Sequence, residues 1–166
     1  MRTAGWATCG AQSLVVEQSL VIPVGVEEAF DRTLPAPIPA IFGNWHGPLP
    51  PVKQVLGQDG EWGAVGQTRT LRMAGGGSVR EELISVEPPK SFGYRLTDIK
   101  GPLAQLISTV EGAFVFLPVD GGTEVTWRWT IQPKSAVSAQ VLPLFAVLWE
   151  GYARKALREL SGLLSV

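Results

Sequence analysis

From Val52 to Gln132 apolar and polar positions alternate in short runs, and beyond Val141 the period lengthens to that of a helix. Alternation of this kind marks strands with one buried face. The runs are Val52–Leu56, Gln67–Met73, Ser78–Val86, Ser91–Thr97, Ile107–Leu117 and Thr123–Gln132. Between them stand glycine-rich segments, Pro88-Pro89, Gly101-Pro102 and Asp120-Gly121-Gly122, all of which favour a turn over continued extension. An earlier run, Leu14–Ile22, reads as a first strand stopped by Pro23. Val26 to Phe30 follows as a short helix, with Glu27 and Glu28 in the first turn where the helix dipole favours acids. Pro35, Pro37 and Pro39 keep any helix between Ile38 and Phe42 brief.

In the tail, Val141, Phe145, Leu148, Tyr152, Leu160 and Leu163 fall near one stripe of a helix, with Arg154, Lys155, Arg158 and Glu159 mostly elsewhere. Pro143 belongs either in the first turn of this helix or at a kink. A strand, two short helices, a run of antiparallel strands and one long helix make an α+β domain, with the helix packed on one face of the sheet.

Hairpin registers say which side chains point inward. With Pro118 opposite Thr123, Phe116 meets Val125 and Phe114 meets Trp127, so both strands place their aromatics on one face. Glu111 then lies on the outer face opposite Thr130 and diagonal to Arg128, as a solvated ion pair. Across Pro88-Pro89, pairing Val86 with Ser91 sets Ser85 against Phe92, Leu83 against Tyr94 and Glu81 against Leu96, which turns Glu81 inward among apolar side chains. An isolated carboxylate there is costly, so it needs a proton, water or a partner. If Arg72 opposes Ser78, Leu71 meets Val79 and Arg69 meets Glu81; a loop one residue shorter turns Arg69 outward. An inward Arg69–Glu81 pair is expected, serving either the architecture or the polar end of a ligand.

Composition narrows the function. The chain has 166 residues, enough for one domain, of which 45% are hydrophobic and 17% charged. A net charge of -1 offers no basic field for nucleic acid. No uninterrupted apolar run approaches the ~20 residues of a membrane-spanning helix, so no integral membrane segment is expected. Cys9 is the single cysteine, which excludes an internal disulfide and a cysteine-based metal cluster. Residues 1–12 read as a loose leader without the apolar core of a secretory signal, in which Trp6 is a stray aromatic or an anchor and Cys9 an incidental residue. A cytoplasmic location is the default. His46, the sole histidine, lacks the carboxylate or second histidine that a metal site or an oriented base needs. Asp31 and Asp98 read as turn residues. There is no G-x-S-x-G elbow, and Gly75-Gly76-Gly77 follows a strand without opening a helix, so it is a hairpin tip and no phosphate loop.

Gly66-Gln67-Thr68-Arg69, Gly77, Val79-Arg80-Glu81-Glu82-Leu83, Glu87-Pro88-Pro89, Phe92-Gly93-Tyr94 and Gly101-Pro102 resemble the START-like (SRPBCC) superfamily, in its polyketide cyclase/dehydrase and lipid-transport branch. The opening from Ile22 to Phe30 and the segment from Gly122 to Trp127 agree, so the resemblance covers most of Ser13 to Leu164. It implies a helix-grip fold: a seven-stranded curved antiparallel sheet around a long C-terminal helix, with two short helices after the first strand and an apolar cavity inside. Residues 13–166 are then a single START-like ligand-binding domain. The G-x-x-R and later Glu are also similar to plant hormone receptors of the superfamily, but their gating-loop signatures are missing here.

The function this implies is binding of a small hydrophobic ligand (a lipid, a sterol-like molecule or an aromatic polyketide) between sheet and helix. The expected walls are Arg69, Glu81, Leu83, Tyr94, Phe114, Trp127, Trp129, Leu148 and Tyr152. A cyclase or dehydratase using the same cavity is the alternative, with Glu81, His46 or Tyr94 moving protons. A protein-interaction module built on Trp45 and the proline-rich loop is the third. No cofactor and no metal are expected, and the chain is expected as a monomer or homodimer.

Overall fold

The computed structural model describes residues 12–166; the expectations for Trp6 and Cys9 lie outside them. In chain order come β1 (Leu14–Ile22), α1 (Val26–Thr33), α2 (Ile38–Ile41), β2 (Val52–Leu56), β3 (Thr68–Met73), β4 (Ser78–Glu87) and β5 (Ser91–Lys100). A 3-10 turn (Pro102–Gln105), β6 (Ile107–Val119), β7 (Gly122–Pro133) and α3 (Ala136–Leu164) complete it. The strands form one antiparallel sheet in the order β1-β7-β6-β5-β4-β3-β2. β2 to β7 is therefore a meander of hairpins, and β1 crosses over to pair with β7 at the far edge.

The alternation in the sequence becomes the two faces of this sheet. On β7, Val125, Trp127 and Ile131 are buried while Arg128 is exposed. Phe114 opposes Trp127 and Phe116 opposes Val125, and on the next hairpin Arg69 opposes Glu81 and Leu71 opposes Val79, all as the turn lengths predict. The Pro88-Pro89 hairpin differs near its tip, where Glu87, not Val86, faces Ser91. A bulge between Leu83 and Ser85 absorbs the extra residue, so Leu83 still meets Tyr94 and Glu81 still meets Leu96. Glu111 is outside, but its partner is the directly opposite Arg95 at 3.1 Å, while Arg128 pairs with Glu17 at 2.8 Å.

α3 begins at Ser135, whose Oγ accepts the Ser138 N–H at 3.1 Å. Its other end is capped from α1: Arg32 donates to the carbonyls of Leu163 at 2.7 Å and Leu164 at 2.8 Å, placing a cation where the helix leaves carbonyls unpaired. Pro143 lies inside the helix, beyond its first turn. The buried stripe runs through Leu142, Phe145, Trp149, Ala153, Leu157, Leu160 and Leu164, rotated from the expected one. Val141 is 38% exposed. The first half of α3 is apolar on several sides, with Val137, Leu144 and Val147 also exposed, so spacing alone does not single out the inward face. By length and composition α3 is long and apolar enough to cross a membrane, a test that a helix packed on a core also meets.

Candidate functional site

The sheet, the segment from Thr33 to Phe42 with α2, and Tyr152 of α3 line a chamber of about 110 Å³. Its wall includes Arg69, Glu81, Tyr94, Phe114, Trp127, Trp129 and Tyr152, which the sequence marks, together with Trp62, Phe42, Ile41 and Leu71, which it does not. Leu83 is wholly enclosed by other core side chains and forms no part of the wall. It shares the inward face of β4 but sits where the core is filled. Leu148 is half-buried and lines a different cavity, because one residue along a helix turns the side chain by about 100° and Trp149 takes the inward position.

His46 is also off the chamber wall. Its imidazole rests against Gly151 of α3, where a side chain would collide with the ring. The histidine therefore fastens the loop after α2 to the long helix, and the same loop is tied by Lys155, which donates to the Trp45 carbonyl at 3.0 Å. Asp31 and Asp98 are exposed but are not turn residues: Asp31 lies in the last turn of α1 and Asp98 within β5, where it takes a left-handed backbone conformation with φ of 49°.

The Arg69–Glu81 pair forms inside. Arg69 Nε donates to Glu81 Oε1, both side chains are about 5% exposed, and Arg69 Nη1 donates to Gln58 Oε1 at 2.9 Å. Above the guanidinium lies Trp62, its ring centroid 3.8 Å from Cζ, a cation–π contact. Trp62 comes from the glycine-rich loop between β2 and β3, and Gln67 organises that loop. Its Oε1 accepts from the N–H groups of Gly63 at 2.8 Å and Ala64 at 2.7 Å, and its Nε2 donates to the carbonyls of Glu61 and Asp59. Burial pushes the Glu81 carboxyl above its ordinary value, and the charge and hydrogen bond of Arg69 pull it back only in part.

Tyr94 lies across the neighbouring strand. Its ring occupies the space where a side chain on Gly112 would be, which carries its hydroxyl over β6 to β7. There Oη accepts the indole N–H of Trp127 at 2.7 Å and of Trp129 at 2.9 Å. Burial first, and the Glu81 charge second, push this phenol well above its ordinary value. Burial does the same to Tyr152. Trp127 is the centre of the aromatic wall, with ring centroids 4.9 Å from Trp149, 5.0 Å from Phe42 and 5.8 Å from Phe114.

Besides Phe42, Ile41 and Leu71, sequence reasoning missed Trp62, Gln58, Gly112 and Trp149. Two left a signal: an aromatic residue alone in a glycine-rich polar loop, and a glycine inside an otherwise apolar strand, which marks a close approach by another group.

A wider groove, about 350 Å³, lies outside the chamber between the first half of α3, the loop carrying Trp45 and the β3–β4 hairpin. Met73 and Leu103 line both spaces.

A family model described as polyketide cyclase / dehydrase and lipid transport matches residues 13–164. No curated protein sequence matches the chain. Among solved structures, major latex-like protein 151 of Panax ginseng is similar with a TM-score of 0.68 at 11% identity, over 91% of this chain and 97% of that one. Ara h 8.0201 gives 0.64 at 12% identity, over 92% and 97%. A protein from Nitrosospira multiformis gives 0.60 at 21% identity, over 90% and 94%. At these identities the likeness is one of fold.

Proposed function

The chain belongs to the polyketide cyclase / dehydrase and lipid transport family of START-like proteins, and on that premise we propose that its chamber binds a small hydrophobic ligand. The observation that carries this reading is the make-up of the wall: aromatic and aliphatic side chains almost throughout, with Arg69, Glu81, Tyr94, Tyr152 and Thr33 as polar groups among them. Apolar ligand surface leaving water contributes about 25 cal/mol per Å², and the polar groups fix orientation.

Size restricts the ligand. An engineered cavity of about 150 Å³ holds one benzene, so a chamber of about 110 Å³ accepts a part of roughly that size. A lipid, a sterol-like molecule or an aromatic polyketide needs more room, and the groove of about 350 Å³ behind Met73 and Leu103 is where such a ligand extends. Methionine is the most adaptable of apolar side chains, which suits a partition that yields.

Thermal denaturation with a graded set of apolar compounds tests this. Compounds that fit raise the Tm in proportion to the logarithm of their concentration, as binding to the folded state requires. Arg69→Ala shifts that dependence to higher ligand concentration, whatever it does to the Tm of the free protein. If no compound raises the Tm, the binding reading fails.

A second reading, an enzyme of cyclase or dehydratase type, is favoured by one feature: a carboxyl of raised proton affinity and a neutral phenol line the same largely apolar chamber. It requires that Glu81→Gln abolish turnover of a polyketide-like substrate while ligand-dependent stabilisation persists.

A further inference from the structure

The Tyr94 hydroxyl has a fixed polarity. A phenol oxygen accepts hydrogen bonds through its lone pairs and has one proton to donate. Here the indole N–H groups of Trp127 and Trp129 occupy the accepting side, at 2.7 and 2.9 Å. Tyr94 is 6% exposed and lines the chamber. Among the described residues no acceptor takes its proton in a hydrogen bond. The group does not turn over to accept from a ligand, because that would strand the buried N–H of Trp127 or the half-buried one of Trp129. Burial keeps it a neutral phenol well into the alkaline range, so it does not become an acceptor by ionising either.

We propose that Tyr94 selects a ligand whose buried polar atom is a neutral carbonyl oxygen (a ketone, quinone or ester), held by the Tyr94 O–H. The proposal deepens the hydrophobic-ligand reading and rests on it. A carbonyl oxygen accepts and brings no proton of its own, which complements a group that only donates. A carboxylate is disfavoured: Glu81 already neutralises Arg69 and repels a second anion in the same low-dielectric space. An alcohol accepts equally well but adds a proton that must reach Glu81 or the hydroxyls of Tyr152 or Thr33, or stay unpaired among Phe114, Trp127, Leu96 and Val110.

The test uses three compounds that share one carbon skeleton and suit the size of the chamber: ethylbenzene, acetophenone and 1-phenylethanol. Dissociation constants are measured by calorimetry on the full chain and on Tyr94→Phe. The wild-type chain is expected to bind acetophenone about 3- to 10-fold tighter than the other two, the range of one net neutral hydrogen bond. Tyr94→Phe is expected to narrow that preference, read as the ratio of acetophenone to ethylbenzene affinity, whatever it does to the affinity for ethylbenzene itself. If all three bind without a ketone preference, or if Tyr94→Phe weakens all three alike, the Tyr94 proposal falls and the hydrophobic-ligand reading stands. If none binds the wild-type chain, both fall. Infrared spectroscopy on the wild-type chain covers the case of a variant that does not fold. The C=O stretch of bound acetophenone should lie below its position in hexane, and an unshifted stretch overturns the proposal.

Discussion

Arg69 and Glu81 show how much one pair of side chains can decide. Each is held inside by the other, and removing one leaves the second buried and unmatched. Glu81→Leu should therefore cost about 3–5 kcal/mol of stability, whereas Arg69→Met combined with Glu81→Leu should fall close to the wild type or above it. Urea denaturation of the three proteins measures both. The pair also sets a pH dependence. Because burial raises the Glu81 carboxyl above 4.5, the folded chain holds that proton more tightly than the unfolded chain does. Its contribution is complete below about pH 4.5 and is lost as the pH rises through the folded value. Urea midpoints taken from about pH 4 to about pH 8 should show that decline in the wild type and a shallower one in the double variant. The pair was legible in the sequence because two alternating strands and a countable loop leave few registers. Trp62 over the guanidinium was not, since a glycine-rich loop has no period from which a direction can be read.

Among the elements, α3 depends on its ends and on its choice of face. Arg32 of α1 supplies the cation at its C-terminal carbonyls. Arg32→Ala should destabilise the chain by about 1 kcal/mol and speed amide exchange in the last turn of α3 before the rest of the helix. Equal exchange along the whole helix would count against that role. Its length and amphipathic character could be read from the sequence. Its inward face could not, because Val137, Val141, Leu144 and Val147 make a second apolar side. Trp149 fixes the rotation by filling the space beside Trp127, a contact between residues far apart in the chain. The bulge on β4 is similar: the hairpin tip differs by one residue from the simplest pairing, and only the packing of Leu83 and Glu81 on the inward face restores the register.

At the scale of the molecule, the chamber and the groove meet at Met73 and Leu103. Opening that partition should change which ligands fit more than how stable the fold is. Leu103 is half-buried, so Leu103→Ala should cost less than the ~2–5 kcal/mol of a fully buried leucine. It should also improve binding of long-chain alkyl phenyl ketones relative to acetophenone. Calorimetric titration of the two ketone lengths against both proteins checks this; an unchanged ratio would show that the ligand does not pass between Met73 and Leu103.

Local chemistry in the sequence determined the order of elements, the antiparallel meander and the inward placement of Arg69 and Glu81. Period-two alternation, turn residues and loop lengths act between neighbours along the chain. Where the core is hollow was decided only in the tertiary structure. Leu83 and Tyr94 face the same side of the sheet, yet one is sealed in the core and the other lines the chamber. The difference arises from the side chains that arrive from α1, α2, α3 and the loop carrying Trp62. Packing density at a point depends on every element that reaches it, and no single segment of sequence holds that information.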